Sequence, residues 1–260
     1  MNRAVFVLAL LITLPSHALQ VSVSPTETLE IAERSAVVKI DGKLDEAVWA
    51  SLDQYDEFVV IEPDTLVKPA HATWVSLFYN QLGLYVGVQV EQPPETRIAR
   101  LSSRDNRQIK RDSVGMVLDT SGEGRYGYWF GINLGDAQMD GTLLPEKQFT
   151  SDWDGAWEGA TSETQTGWTA EMFIPWGVVS MPKQAGARRI GLYMERFVAY
   201  KDERWSWPAL PDTVPQFISA LQSVSVKDVQ PKQQYSIFPS ASVTQDQIDG
   251  KTNYRAGADF

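Results

Sequence analysis

The 260-residue chain has 33 acidic and 23 basic residues and a formal net charge of −10, a surface that repels nucleic acid and anionic lipid. Such a surface is compatible with neutral ligands and with divalent cations. The chain has no Cys and two His, and His17 falls in the N-terminal segment described next. Zinc sites of the usual His/Cys type are therefore excluded, and a Ser-His-Asp triad would have to use His71.

The N-terminal residues have the pattern of a secretory signal peptide. Arg3 precedes the apolar run AVFVLALLITL at residues 4–14, which is too short to span a bilayer as a mature helix. The small residues Ser16 and Ala18 predict cleavage after Ala18. We therefore predict a signal peptide at residues 1–18 and export of a disulfide-free protein to the periplasm or cell surface of a Gram-negative bacterium.

The segment DGKLDEAVWASL at residues 41–52 is predicted to form one short helix, of about two turns, after the first strand. Asp45 can cap this helix, and Leu44 and Val48 fall on one of its faces. A helix this short needs a sheet to pack on, so we expect Trp49 to be buried in the seam between helix and sheet.

Most of the chain alternates apolar and polar residues with the period of two that is typical of β-strands. The alternating segments are Thr73–Tyr79, Leu84–Val90, Val114–Leu118, Tyr126–Leu134, Trp168–Ile174 and Ile190–Met194. Turn-forming residues separate these segments. Several strands at this spacing predict an all-β fold, an antiparallel β-sandwich of jelly-roll or immunoglobulin-like type.

The composition changes near residue 229, where the compact core pattern ends. Two further alternating segments, Tyr235–Val243 and Thr252–Phe260, predict a C-terminal hairpin after a linker. Two strands alone are marginally stable in water, so this hairpin is expected to need a partner. The predicted organisation is thus a sandwich at residues 19–228, followed by the linker and hairpin at residues 229–260.

Four stretches of the chain carry a family resemblance: IDGKLDEAVW at 40–49, RDSVGMVLDT at 111–120, RYGYWFGINLGDAQMDG at 125–141 and WDGAWEGATSETQTGWTAEMFIPW at 153–176. Together they resemble family 9 carbohydrate-binding modules and the related DOMON-like sandwiches. The resemblance extends to a bacterial family in which such a module precedes an outer-membrane β-barrel, and the tail looks like the first hairpin of that barrel. It implies a sandwich, a carbohydrate ligand and structural calcium.

Aromatic side chains supply the candidate ligand residues, because a sugar site needs exposed rings for the apolar ring face and polar groups for the hydroxyls. Trp153 lies in a loop between Asp152 and Asp154. Trp129 and Asn133 share one strand face with glycines on which a ring can lie flat. Further candidates are Trp157 and Trp205, for which a core position is the alternative, and Arg111, for which a structural salt bridge is the alternative.

Carboxylates in turns supply the candidate metal ligands, and calcium, which prefers hard oxygen ligands, is the cofactor predicted from them. The candidates are Asp136, Asp140, Asp152 and Asp154. A glycoside hydrolase would instead need two carboxyl groups flanking a cleft, for which Asp152, Asp154 and Glu158 are the available residues. Nothing in the sequence marks one of these for a raised pKa.

The leading functional hypothesis is an exported, non-catalytic carbohydrate-binding domain that delivers ligand to, or gates, its own C-terminal outer-membrane barrel. The partners predicted are a carbohydrate and that barrel, with no nucleic acid and with membrane contact only through the barrel. The alternative is a structural or docking domain for the barrel that binds no sugar. Glycoside hydrolysis and haem binding, which would need His71 or a Met as axial ligand, are less favoured.

Overall fold

The computed structural model describes residues 27–231, 238–245 and 252–259, so the predicted signal peptide lies outside the described residues. These residues form sixteen strands and five short 3-10 turns. The strands are β1 Leu29–Glu30, β2 Ala32–Glu33, β3 Val59–Glu62, β4 Thr73–Tyr79, β5 Gly83–Glu91, β6 Ser113–Asp119, β7 Gly127–Asn133, β8 Gln138–Leu144, β9 Gln148–Thr150, β10 Glu158–Glu163, β11 Gly167–Pro175, β12 Ala187–Val198, β13 Glu203–Trp207, β14 Gln222–Lys227, β15 Phe238–Gln245 and β16 Thr252–Asp259. The 3-10 turns are Trp49–Ser51, Pro94–Thr96, Pro145–Lys147, Trp176–Val178 and Ile218–Ala220.

Two sheets make up the main body of the fold. The larger sheet has the order β1-β14-β12-β6-β7-β8-β9, with β13 beside the second half of β12 and β3 beside β13. The smaller sheet has the order β10-β11-β5-β4-β2. The pairings are antiparallel except for β1 with β14 and β2 with β4. The predicted antiparallel β-sandwich is therefore confirmed.

The core lies between the two sheets and follows from the period-two alternation of the strands. Phe130 and Ile132 of β7 are fully buried there, together with Val88 of β5 and Met172 of β11. Burial of each such side chain stabilises the fold by roughly 1.5–3 kcal/mol. The intervening residues of β7, including Trp129, consequently lie on the outer face of the larger sheet.

The predicted two-turn helix at residues 41–52 is wrong in extent, since only the single 3-10 turn Trp49–Ser51 forms and no side chain caps it. Tertiary packing replaces local helical bonding in this segment. Trp49 is buried on the smaller sheet, where an ideal Cβ atom on Gly87 would lie 2.9 Å from the indole ring and 2.8 Å from Leu44. The segment therefore lies flat on β5, and the expectation that Trp49 is buried against a sheet is confirmed.

Part of the outer face of the larger sheet is covered by residues 208–221, here called the cover segment. Its apolar side chains and the sheet residues beneath them form one buried cluster, which includes Val117, Leu143, Tyr193, Leu210, Phe217, Ile218 and Leu221. Lys147 holds one side of the cover segment by an ion pair with Asp212 at 2.7 Å. Thr213, the neighbour of Asp212, donates a hydrogen bond to Asp64. Trp129 packs at the margin of this cluster, outside the covered region.

The C-terminal hairpin predicted from the sequence is confirmed as β15 paired with β16 in an antiparallel ladder. Val243 and Tyr254 are direct partners in this ladder, and their side chains are 65% and 77% exposed. Nowhere in the described ranges is there a helix of the length and apolar character that crossing a bilayer requires.

Candidate binding cleft

Trp129 lies flat on the outer face of the larger sheet because its neighbour along that face is a glycine. An ideal Cβ atom built on Gly131 would lie 2.5 Å from Cη2 of the Trp129 ring, so any larger residue would displace the ring. Gly115 of β6 is the register partner of Gly131. The sequence-based expectation that a ring rests on glycine backbone at this position is thus seen in the structure.

The indole ring is fixed at its edges by two side chains from other strands. Its Nε1–H donates to Oε1 of Glu195 on β12 at 2.9 Å. The ring of Phe149 on β9 meets it edge-on at 5.6 Å between ring centroids. Glu195 also pairs with Arg204 at 3.1 Å, and this carboxylate raises the pKa of Arg204 above its ordinary value. These contacts hold one aromatic plane in a fixed position beside charged groups.

A cleft of about 280 Å³ opens beside this ring. The loop 106–111 forms one wall, and Arg107 of this loop lies over the Phe149 ring at 4.1 Å and over the Trp129 ring at 5.6 Å. The remaining lining residues include Ser113, Met139, Glu195, Phe197, Asp202 and Arg204. An aromatic plane with guanidinium, carboxylate and amide groups at its rim can bind a molecule that has one apolar face and several hydroxyl groups.

Arg111, a candidate from the sequence, lines the same cleft. Its side chain is buried, with 3% of the residue exposed, and its Nη2 donates to the Asn106 carbonyl at 2.8 Å. Nη1 is buried and has no hydrogen-bond partner in the described chain. Burial lowers the pKa of Arg111 from its ordinary value. The alternative from the sequence, a structural salt bridge at Arg111, is not formed among the described residues.

Three sequence candidates for ligand contact lie instead inside the fold, and their placement corrects that expectation. Trp157 is 4% exposed and donates its Nε1–H to Asp140 at 2.8 Å. Trp205 is fully buried beneath the guanidinium of Arg196. Asn133 is fully buried as well, and its amide donates to the Ala137 carbonyl. All three side chains are enclosed by the protein, although Oδ1 of Asn133 is buried without a hydrogen-bond partner among the described residues.

Trp153 also packs against the core. Its ring contacts Tyr128 at 4.8 Å and Phe130 at 5.7 Å between centroids, and it is half-buried. An ideal Cβ atom on Gly155 would lie 2.5 Å from this ring, so the loop closes tightly around it. Trp153 therefore closes the end of the sandwich, on the side of the sheet opposite to Trp129.

Two of the four predicted metal ligands come together, and a third carboxylate joins them. One carboxylate oxygen each from Asp105, Asp140 and Asp154 lies within 4.8 Å of the others. Oδ1 of Asp140 is buried without a partner, and burial raises the pKa of this residue. Asp152 is exposed, and Asp136 accepts hydrogen bonds from Thr161.

The donor set of this cluster suits calcium, but a guanidinium competes with the ion for it. Nη2 of Arg104 contacts both Asp140 and, at 2.7 Å, Asp154. The same nitrogen donates to the Gly155 carbonyl at 2.7 Å. The carboxylates fit a calcium ion only if Arg104 withdraws from them.

The carboxyl group with the most strongly raised pKa lies away from the cleft. Burial raises the pKa of Glu171 to about 7. Its carboxylate accepts hydrogen bonds from the backbone N–H groups of Asp41 and Gly42 and from Nε1 of Trp49. These contacts anchor the 41–52 segment, and that segment covers Glu171. The role of Glu171 is therefore structural.

The residues that the sequence offered for catalysis or haem binding, His71, Asp152, Asp154 and Glu158, do not form one site. His71 shares a hydrogen bond with the Tyr200 hydroxyl at 2.8 Å. Asp152 and Glu158 are exposed, and Asp154 is paired with Arg104.

Sequence reasoning missed Glu195, Arg107, Phe149 and Arg204 as neighbours of Trp129. Glu195 belongs to β12, whose alternation of apolar and polar residues does not distinguish it from the other strands. Its position beside the indole depends on the strand order, in which β6 lies between β12 and β7. Gly115 stands between the two side chains, 3.2 Å from Oε1 of Glu195 if a Cβ atom were added. The glycines at 115 and 131 both lie within predicted strands. They were the sign in the sequence that side chains from neighbouring positions lie over the sheet surface there.

No protein-family model and no curated protein matches the sequence. Solved structures do match. A family 9 carbohydrate-binding module from Caldicellulosiruptor kristjanssonii in complex with cellotriose aligns over 80% of this chain and 95% of its own, with a TM-score of 0.53 and 14% identity. The glucose complex aligns over 81% and 99%, with a TM-score of 0.54 and 14% identity.

A protein from Bacteroides uniformis ATCC 8492, proposed to bind carbohydrate, aligns over 77% of this chain and 99% of its own, with a TM-score of 0.57 and 14% identity. The chain has the fold of a family 9 carbohydrate-binding module. This outcome agrees with the fold that the four sequence stretches implied.

Proposed function

We propose that the sandwich is a non-catalytic carbohydrate-binding domain whose ligand occupies the cleft beside Trp129. The observation that carries the proposal is the indole ring held flat on Gly131, with charged side chains around it. The apolar C–H face of a sugar ring would stack on this plane. Similar folds bind cellotriose and glucose, which adds support.

The rim residues would bind the hydroxyl groups of that sugar. Glu195 holds the indole N–H with one oxygen and Arg204 with the other, so it has lone pairs left for a hydroxyl donor. Arg107 partly covers the ring, and its exposed side chain would shift toward Phe149, which it already contacts more closely.

Export and attachment to an outer-membrane barrel form the cellular part of the proposal. The signal-peptide pattern at residues 1–18 supports export. The hairpin of β15 and β16, with Val243 and Tyr254 paired and exposed, supports the idea that these strands join a larger sheet. In this setting the sandwich would bind glycan for uptake or degradation.

Calcium bound by Asp105, Asp140 and Asp154 remains a separate proposal, with a role in stability. The buried, unpartnered oxygen of Asp140 supports it. Arg104 would have to leave the cluster, as its present contacts occupy two of the carboxylates.

The decisive experiment is titration of the mature protein with a panel of oligosaccharides, followed by calorimetry and by tryptophan fluorescence. Saturable binding that is lost in Trp129→Ala supports the proposal. Folded protein that binds no glycan would overturn it, and would favour the structural docking domain. Release of reducing sugar from any bound glycan would overturn the non-catalytic assignment.

A further inference from the structure

The cleft beside Trp129 carries a charge opposite to that of the whole chain. Four cations line it, namely Arg107, Lys110, Arg111 and Arg204, against the two carboxylates of Glu195 and Asp202. The formal charge of the lining is therefore +2, within a chain whose net charge is −10. Charge of one sign concentrated at a concave site attracts ligands of the other sign.

Both carboxylates of the cleft are already neutralised by neighbours. Glu195 pairs with Arg204 at 3.1 Å, and Asp202 pairs with Lys110 at 2.7 Å. Arg107 and Arg111 are left without a carboxylate partner in the part of the chain that the structure describes. The excess positive charge of the cleft is thus located on these two guanidinium groups.

Arg111 is the more informative of the two because it is buried. A charged group removed from water is unfavourable unless it is paired or fully hydrogen-bonded. Yet Nη1 of Arg111 has no partner among the described residues, and Nη2 bonds only the Asn106 carbonyl and, at 3.8 Å, the sulfur of Met139. Buried polar groups of folded proteins are rarely left in this state, so a missing partner is indicated.

We infer that the cleft binds an acidic carbohydrate, whose oxyanion pairs with Arg111 while its sugar ring stacks on Trp129. This inference rests on the proposed function. A guanidinium offers a planar fork of N–H donors that matches a uronate carboxylate, and the oxygens of a sulfate ester can accept from the same donors. Arg107, exposed at the mouth of the cleft, adds a second positive charge along the route of entry.

The test compares three oligosaccharides on the mature protein by calorimetry: a galacturonic acid trisaccharide, its carboxyl-reduced form and a sulfated galactose oligosaccharide. We expect the uronate or the sulfate to bind roughly tenfold more tightly than the neutral form, in line with a charge-assisted pair. This advantage should shrink as NaCl rises from about 20 mM to about 500 mM, because salt screens exposed charge. Which anionic probe binds identifies the source of the oxyanion.

Arg111→Met is the matched variant, with Arg188→Met as control. Arg188 is equally buried at 3% exposure and also lies outside every ion pair described, but it lines a different pocket. Arg111→Met should abolish the preference for the anion without lowering the melting temperature, since it removes an unpartnered charge. Arg188→Met, where folded, should keep the preference.

The outcomes separate this inference from the proposed function. Equal affinity for charged and neutral oligosaccharides, with no salt dependence, would overturn the acidic ligand and leave carbohydrate binding in place. A preference that survives in Arg111→Met would overturn the role of Arg111. Absence of binding to all three probes, and to the wider neutral panel, would overturn both.

Discussion

Glu195 accepts the indole N–H of Trp129 at 2.9 Å, although one strand, β6, lies between their strands β12 and β7 in the sheet. Gly115 on β6 makes this contact feasible, because a side chain there would meet the Glu195 carboxylate. The two residues are 66 positions apart in the sequence. Their pairing sets the orientation of the one aromatic plane on which the proposed binding depends.

Trp129→Ala should weaken glycan binding by roughly 1–3 kcal/mol and lower stability much less, because the ring lies at the margin of the outer-face cluster. Trp157→Ala is the control for stability. Its ring is buried in the main core, so the change should cost about 3–5 kcal/mol of unfolding free energy. Calorimetric titration and urea unfolding of both variants measure the two effects. Equal loss of stability in both would contradict the assignment of Trp129.

Trp153→Ala should act on stability. The ring packs on Tyr128 and Phe130 and is half-buried, so we expect a loss of about 2–4 kcal/mol in the free energy of unfolding. Binding by the fraction that remains folded should be unchanged. A stable Trp153→Ala variant with weakened binding would return this loop to the ligand site.

Gly131→Ala should weaken binding by about 1–2 kcal/mol, since the new methyl group would lie where the Trp129 ring now rests. The control is the same change in a Trp129→Ala background. With the ring gone, the methyl group has nothing to displace, and the cost in binding and stability should disappear. Additive effects in this double-mutant cycle would show that Gly131 does not act through the position of the Trp129 ring.

Stability should fall as pH rises from about 5 to 8 through the titration of Glu171. Burial raises the pKa of this group to about 7 in the folded state, above the ordinary value of 4.5. The folded protein thus holds the proton more tightly than the unfolded chain, and the stabilisation present below pH 4.5 is lost as pH passes 7.

Glu171→Gln provides the comparison for this pH dependence. The amide cannot titrate, so the melting temperature of the variant should vary less between pH 5 and 8 than that of the wild type, although its absolute value should be lower. That lower value follows because the amide nitrogen would face one of three N–H donors. Parallel pH profiles for the two proteins would show that Glu171 does not cause the pH dependence of stability.

Calcium should raise the melting temperature if it binds at Asp105, Asp140 and Asp154, by the linkage of binding to folding. Arg104→Gln should then bind calcium more tightly, because the guanidinium no longer competes for Asp140 and Asp154. Thermal melts with calcium and with EDTA measure both effects. If the melting temperature of each protein were the same with calcium and with EDTA, calcium binding at this cluster would be excluded.

Much of the fold could be predicted because alternation along a strand is a local property. The segment Tyr126–Leu134 showed which of its residues face the core, and this placed Trp129 opposite to Phe130. The glycine at 131 then suggested a flat ring, which the structure contains. Neither step needed knowledge of the strand order.

What could not be predicted depends on pairings between distant residues. The helix at 41–52 was wrong in extent because distant contacts fix this segment: Asp41, Gly42 and Trp49 all donate hydrogen bonds to Glu171, 122 to 130 positions away. The packing of Trp153 on Tyr128 and Phe130 could not be predicted, because nothing in a loop sequence shows which side of a sheet its ring meets. The rim of the cleft was missed because it is assembled from β12 and β13 together with the 106–111 loop, which is far from them in the sequence.

The pairing of β1 with β14 constrains the order in which this chain can fold during its synthesis. Leu29 lies beside Val224, so the first strand of the larger sheet has no partner until nearly two hundred further residues have been synthesised. The 41–52 segment likewise waits for Glu171. In a nascent chain these two N-terminal segments would therefore stay without their partners while the intervening residues emerge from the ribosome. In the proposed export of this protein, such late pairing would help to keep the polypeptide unfolded for its passage across the membrane.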